Sequence, residues 1–439
     1  MALNSCKKDN GGDDPNPQPG GTTVHVAQIG TLNDLLTKQK LLETSTLTIT
    51  GVLGEEDFKT LRGMTTLNKL DLTQAAITSL PEYSFYQSKL QEIKLPQTLI
   101  EIQQNAFHSC ENLRAITFGA NSQLRTIGGG DRVEDGISIV HGAFYGCSSL
   151  KAIDIPRSVE VIKGGAFANC TSLEIVNFAT NTKLKTLDGA FYNCTSLKHI
   201  TIPASVTSLY WTFTECSSLS SVDFESSSQL EVMDMAFGEC TSLKNISIPA
   251  SVTTLDLAFM NCSSLERIIF NPGSRLRIIE DHTFQNCHNL ITVDFGQTSQ
   301  IKTMGNIFYD CTSLENITIP ASVTTMKGTF PQCPSLKTIT FDTGSQLTTV
   351  ESGTFFNPIT SNQNITMIDA SNCTRITDAG GFADYLPSLQ ILKIGTRIPP
   401  KFFTWIAPNS TAVLQVPIGC SVAYKNANFW SEFASIKEL

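Results

Sequence analysis

The chain has 439 residues and a formal net charge of −9, and only 16% of its residues are charged. An acidic balance without a basic stripe argues against nucleic acid, because neutralising phosphates requires clustered Lys and Arg. No apolar run approaches the ~20 residues that a membrane-spanning helix needs.

The N-terminus reads as an anchor. Leu3-Asn4-Ser5-Cys6 has the form of a bacterial lipobox, which ends in the cysteine that becomes lipidated. The basic and apolar segments that normally lead to such a cysteine do not precede it, so Met1-Ala2 reads as a start set just upstream of a mature Cys6. KKDNGGDDPNPQPGG (7–21) follows without a large apolar residue, and such a segment buries too little to offset the entropy of ordering. Residues 1–21 are therefore expected to be a disordered lipoprotein tether. The bland alternative is an ordinary disordered terminus with an incidental cysteine. Residues 22–79 read as an N-terminal cap and first atypical repeats, with strand-like TLTIT (46–50) and a helix-like Asp57–Arg62 segment.

From residue 80 to 395 one phrase repeats: Phe, then Cys, then an apolar anchor, as in AFANCTSL (166–173) and AFMNCSSL (258–265). The cysteines at 110, 147, 170, 194, 216, 240, 262, 287, 311 and 333 are 37, 23, 24, 22, 24, 22, 25, 24 and 22 residues apart. That is the period of leucine-rich repeats, and a unit so short can bury its apolar side only by stacking on its neighbours. The chain is expected to form a right-handed, curved leucine-rich-repeat solenoid. Its parallel β-sheet should lie on the concave face, with strands and loops elsewhere and little helix.

Two kinds of coil alternate. One ends its strand in Ile-Pro, as in LKHITIPASVTSL (197–209), and the other in Phe before a polar turn, as in LSSVDFESSSQLEVM (219–233). Pro156, Pro203 and Pro249 are 47 and 46 residues apart, so the repeating unit reads as a pair of coils, with one slip where Phe270 and Phe295 end consecutive strands. L-x-x-I-x-I alternates with the period of a half-buried strand. The following Pro has no N–H to donate and ends the ladder. Phe167, Phe191, Phe213, Phe237, Phe259, Phe284, Phe308, Phe330 and Phe355 recur as one buried spine. PSLQILKI (387–394) is the last repeat-like strand, and residues 396–439 read as a C-terminal capping segment, with Tyr424, Trp430, Phe433 and Ile436 as its lid.

Thirteen cysteines in an exported chain invite disulfides. Equivalent positions on adjacent coils, however, hold their Cβ atoms about 4.8 Å apart and pointing the same way, beyond the ~3.8 Å a disulfide prefers. A linear ladder cannot form a tetrahedral metal site. The cysteines are therefore expected to be reduced, buried small hydrophobes. N-C-T and N-C-S at 169, 193 and 261 match the glycosylation acceptor pattern but arise from the repeat. The six histidines form no H-E-x-x-H, and neither G-x-S-x-G nor a P-loop occurs. No enzyme, cofactor or metal is expected.

The phrase A-F-x-x-C-x-S-L-x-x-I-x-I-P-x-S-V resembles the BspA-like leucine-rich-repeat family, surface antigens of gut and oral anaerobes. LQVPIGCSVAYKNANFWSEFASIKEL (414–439) is similar to that family's C-terminal cap. The resemblance covers about residues 80–439. It implies a surface-anchored protein for adhesion or ligand recognition, with host matrix proteins as usual suggested partners, and it transfers no binding site. Coils such as LDGAF, LYWTF and LDLAF depart from it, with three residues before the Phe in place of four, which should tighten the turn there.

Function is thus expected along a surface. The reading is a non-enzymatic outer-membrane lipoprotein on the bacterial cell surface, monomeric, binding an extracellular protein or glycan. The alternative is a structural, self-associating envelope protein without a host ligand. The outward strand positions include His199 and Arg267 among small polar residues. The long Cys110–Cys147 interval inserts GGGDRVEDGISIVHG (128–142), with Asp131, Arg132, Glu134 and Asp135. This is either a binding loop or a tolerated one. Tyr210-Trp211 is either a contact platform or coil packing. Asp188, Asp234 and Asp256 fall at equivalent positions, as solvated turn residues or as a Ca²⁺ line.

Overall fold

The computed structural model describes residues 21–130, 132–133, 136–137, 141–355, 364–383, 386–401 and 411–439. Cys6 and the expected tether before Gly21 lie outside them, as do Asp131, Glu134 and Asp135. Gly21, expected to close the tether, opens the first strand instead.

The chain winds as a right-handed parallel β-solenoid of about 17 turns. Its concave face is a row of short strands in which one face is buried and the other exposed, as in His199–Ile202 and Asn245–Ile248. The expected outward residues, His199 and Thr201 or Asn245 and Ser247, are the exposed ones. Strands end at Ile155, Ile202, Ile248 and Ile319, each followed by the proline that cannot extend the ladder. A second, thinner ladder runs along the other side of the coils. Over four consecutive coils it shrinks to single bridges, at Thr186, Ser208, Val232 and Thr254. Each of these coils has only three residues between its anchor and its Phe.

The Phe spine is longer than the repeat phrase implied. It runs through Phe85, Phe107 and Phe144 to Phe355 and Phe382, with successive ring centroids 4.9–6.2 Å apart and rings within 25° of parallel. At the N-terminal end Phe58, on the helix Glu55–Gly63, closes the stack edge-on against Phe85 at 5.8 Å. That helix also carries Asp57, a buried carboxylate that accepts the backbone N–H groups of Gly30, Leu32 and Gly54 at 2.7–2.9 Å. One side chain thereby ties the first two coils of the leading edge together.

At the other end Tyr424 and Trp430 are buried and meet edge-on at 5.2 Å. Tyr424 Oη bonds Thr396, and Trp430 Nε1 donates to Pro400 O at 3.0 Å. The final strand Ser435–Glu438 pairs in parallel with Val413–Val416 and continues the concave sheet to the end of the chain.

Replacing a mid-spine ring removes contacts on both sides at once. Phe237→Ala should cost about 3–5 kcal/mol, read as a lower midpoint in urea unfolding.

Candidate functional site

The repeat places three positions in fixed roles around the spine. Two residues before most of the spine Phe residues the backbone is left-handed, at Tyr83, Asn105, Trp211, Met235, Leu257 and His282 and at glycines such as Gly165. The residue before each Cys is left-handed as well, and there Asn recurs, at 169, 193, 261 and 286. Asn tolerates that conformation better than most residues, which is the physical origin of the N-C-[ST] sequences. These asparagines also bond between coils, Asn193 Nδ2 to Asn169 Oδ1 and Asn286 Nδ2 to Asn261 Oδ1, both at 2.6 Å.

The cysteine itself is more than a small hydrophobe. From Cys110 to Cys333 every repeat thiol donates to the main-chain oxygen of the Phe in the preceding coil, at 2.8–3.3 Å. In the first coil Ser88 stands where the others have Cys, and its hydroxyl meets the Cys110 thiol at 3.4 Å. All twelve cysteines of the described residues are free and buried. Burial pushes the Cys110 thiol up to about 11 and those of Cys170, Cys216, Cys262 and Cys333 up to about 12. Reactive cysteines are exposed and acidic, and these are neither.

The concave face carries charge mostly in pairs. Lys69–Glu92 (2.9 Å), Lys94–Asp71 (3.3 Å), Lys198–Glu174 (3.6 Å), Lys337–Glu315 (3.1 Å) and Lys393–Asp369 (2.7 Å) all cross between neighbouring coils. His199 is exposed there, its Nδ1 3.0 Å from Ser221 Oγ and its Nε2 3.8 Å from Asp223. Arg267 is exposed on the strand Arg267–Phe270, beside a cleft lined by Ile291, Asp294, Asn316 and Thr318. The two stand on separate ribbons of the face.

The other expected residues are elsewhere. Arg132–Val133 and Gly136–Ile137 pair antiparallel within the insertion, and Gly130 bridges Gly164. Trp211 is half-buried with φ 56°, its ring 6.2 Å from that of Tyr210 and its Nε1 enclosed without a partner among the described residues. The aspartates serve as clips between coils. Asp188 Oδ1 accepts from Ser208 Oγ at 2.5 Å and Tyr210 N at 3.0 Å, and Asp234 Oδ1 accepts from Asp256 N at 2.9 Å. Asp256 is raised by burial and then by its neighbour Asp234. Among the described residues no group of three or more His, Cys, Asp or Glu is placed to hold a metal ion.

The concave sheet has a feature the expected site residues did not include. Its strand pairing breaks at four joints, each where a Phe-ended strand is followed by an Ile-Pro strand. They fall between Ala115–Thr117 and Ala152–Ile155, Ile175–Phe178 and His199–Ile202, Ser221–Phe224 and Asn245–Ile248, and Thr292–Asp294 and Asn316–Ile319. A cleft opens at every one. Coil length supplies the cause. Ile-Pro coils occupy 22 or 23 residues from Cys to Cys and Phe-ended coils 24 or 25, apart from the one with the insertion. The longer turn after Phe displaces the next short coil, and the strands splay. A further cleft lies at the C-terminal end, lined by Arg375, Ile376, Arg397, Ile398 and Pro399.

The stacked coils, the one-residue-in, one-residue-out strands and the Phe–Cys phrase define a leucine-rich-repeat protein. The model of the BspA type leucine rich repeat region matches six copies over residues 45–130, 137–266 and 256–382, and the chain belongs to that family. Among solved structures it is similar to a leucine-rich repeat protein of Bacteroides ovatus, with 26% identity over 67% of this chain and 82% of that one, TM-score 0.46. The pneumococcal vaccine antigen PcpA matches at 17% identity over 97% and 96% of the two chains, TM-score 0.43. A leucine rich cell surface protein of Faecalibacterium prausnitzii matches at 25% identity over 63% and 83%, TM-score 0.32. No curated protein matches the chain.

A thiol kept neutral by the fold but free to ionise when unfolded stabilises the native state below its unfolded pKa of ~8.5. That stabilisation is lost as pH rises from there through the folded value of about 12. The urea midpoint should therefore fall steadily between these limits, less steeply in Cys216→Ala, and a thiol reagent should label none of the twelve before unfolding.

Proposed function

We propose that the chain is a non-catalytic recognition protein displayed on the bacterial surface, binding an extracellular protein or glycan along its concave face in the manner of an adhesin. The observation that carries this reading is the concave face itself. Along its whole length the outward strand positions are mostly short and polar, exposed, and interrupted by open clefts. An extended face of this kind suits a long ligand, and the closed, water-excluding pocket that catalysis favours is not what it offers. Lipidation of Cys6 would tether the solenoid to the outer membrane, as the lipobox-like residues 3–6 and the polar stretch after them indicate.

One observation favours the second reading, a self-associating envelope protein. Among the described residues the strand Ser435–Glu438 stands at an edge of the sheet, paired with Val413–Val416 on one side. Exposed Lys437 and Glu438 stand on that strand, and charged edge residues are a usual device against edge-to-edge pairing.

His199→Glu combined with Arg267→Glu should lower binding on protein and glycan arrays at least tenfold, while Gln285→Glu, just past the spine Phe284, should leave it unchanged. Loss with both, or concentration-dependent assembly in size exclusion with blank arrays, would overturn the reading. Cys6→Ala should release the protein from the membrane fraction.

A further inference from the structure

The four joints of the concave sheet leave main-chain groups without strand partners. Where strands do pair, the first residue of the later strand bonds backward, as Ile175 N donates to Lys151 O and Arg267 N to Lys244 O. By the same alternation His199 and Thr201 turn their N–H and C=O groups toward Ile175–Phe178. Asn245 and Ser247 face Ser221–Phe224 likewise, and Asn316 and Thr318 face Thr292–Asp294. No main-chain hydrogen bond between described residues joins the strands across these gaps. At the foot of the first three clefts stands a Phe only partly buried, Phe118, Phe178 or Phe224.

We infer that these joints are a row of subsites for a linear, neutral polysaccharide, whose hydroxyls serve the splayed main-chain groups. The inference rests on the concave-face reading above and names the ligand class for it. Charge selects the class first. The first cleft is lined by Arg157 and Lys183 with Asp154, the second by Lys198 and Glu174 with Glu225, the third by Asp223 and the last by Arg267 with Asp294, Glu315 and Asp342. A polymer with the same charge on every unit would meet attraction at one end of this row and repulsion at the other. Hydrogen bonding selects next. A hydroxyl donates and accepts at one atom, so it can serve an N–H and a C=O that face each other across a narrow gap. A peptide strand would need about 4.8 Å of clearance from each neighbour. Because the joints recur along one face, a chain that reaches two of them binds the second at high effective concentration.

The test uses the full chain in affinity electrophoresis through gels containing soluble mannan, xylan or glucan, with heparin and a fibrous matrix protein as comparisons. At least one neutral polysaccharide should retard it, more strongly as chain length increases. Ser247→Arg combined with Thr318→Arg should weaken that retardation at least tenfold, and Thr253→Arg, on the opposite ladder, should not. Hydrogen exchange on the unaltered protein should show fast amides at His199 and Thr201, slow ones at Ser221 and Asp223, and slowing of the first pair when the polysaccharide binds. Retardation by heparin alone, equal loss with Thr253→Arg, or no retardation by any neutral polysaccharide overturns the inference. If the matrix protein binds and the double variant abolishes it, the concave-face reading stands and the polysaccharide falls. If nothing binds through this face, both fall.

Discussion

From Cys110 to Cys333 each coil of this solenoid is registered on the one before it by two contacts made at the same place. A Phe ring lies flat on its neighbour's ring, and the Cys of the same phrase donates its thiol to the neighbour's Phe carbonyl. The ring contact is apolar and insensitive to small slips, because stacked rings tolerate sliding. The thiol bond is short-ranged and fixes the height of each coil against the last. Each Phe carbonyl already accepts a main-chain N–H within its own coil, as Phe213 O does from Cys216 N, so the thiol of the next coil is a second donor that uses the remaining lone pair. This explains why a residue with reactive chemistry occupies ten repeats and performs none of it. Ser88, which takes the same place one coil before Cys110, meets that thiol at 3.4 Å.

Much of the architecture was legible because the pattern repeats. A period of 22 to 25 residues admits one class of solution, and period-2 alternation within each coil assigns inside and outside correctly for His199, Ser221 and Asn245. What escaped the sequence reading is what a repeat phrase does not encode. Asp57 clasps three backbone amides because the leading turns cross near one helix end, and nothing in the spacing of Gly30, Leu32 and Gly54 announces it. Phe85 and Phe382 belong to the spine although no Cys follows either at the spacing of the repeat phrase. Trp211 reads from sequence as either a contact platform or coil packing, and the repeat phrase does not announce that its place two residues before Phe213 carries a left-handed backbone with the indole half-buried.

The candidate site was half legible. The exposed positions followed from alternation, but the clefts follow from a difference of about two residues in coil length, visible in the Cys spacings and not in any motif. Equal coils would stack with every strand paired, giving an unbroken sheet whose main-chain groups are all spent on neighbours. Unequal coils cannot keep register on both sides of the solenoid. The spine holds register on the Phe side, because the rings are continuous there from Phe85 to Phe355 and the thiol bonds from Cys110 to Cys333, so the mismatch has to appear on the concave side.

The position of the joints tests this account within the molecule. Mismatch alone predicts a break wherever coil length changes, whether from short to long or from long to short. The breaks occur only where a Phe-ended strand precedes an Ile-Pro strand, and the reverse step, as from His199–Ile202 to Ser221–Phe224, stays fully paired. The asymmetry follows from the direction of winding. The extra residues of a Phe-ended coil lie after its strand, in the turn that leads on to the next coil, so they displace the following strand and leave the preceding one in place. Two consecutive Phe-ended strands, Arg267–Phe270 and Thr292–Asp294, remain paired because both carry the same long turn. The slip in the alternation at Phe270 and Phe295 therefore removes one joint from the row and sets the spacing of the last cleft apart from the other three.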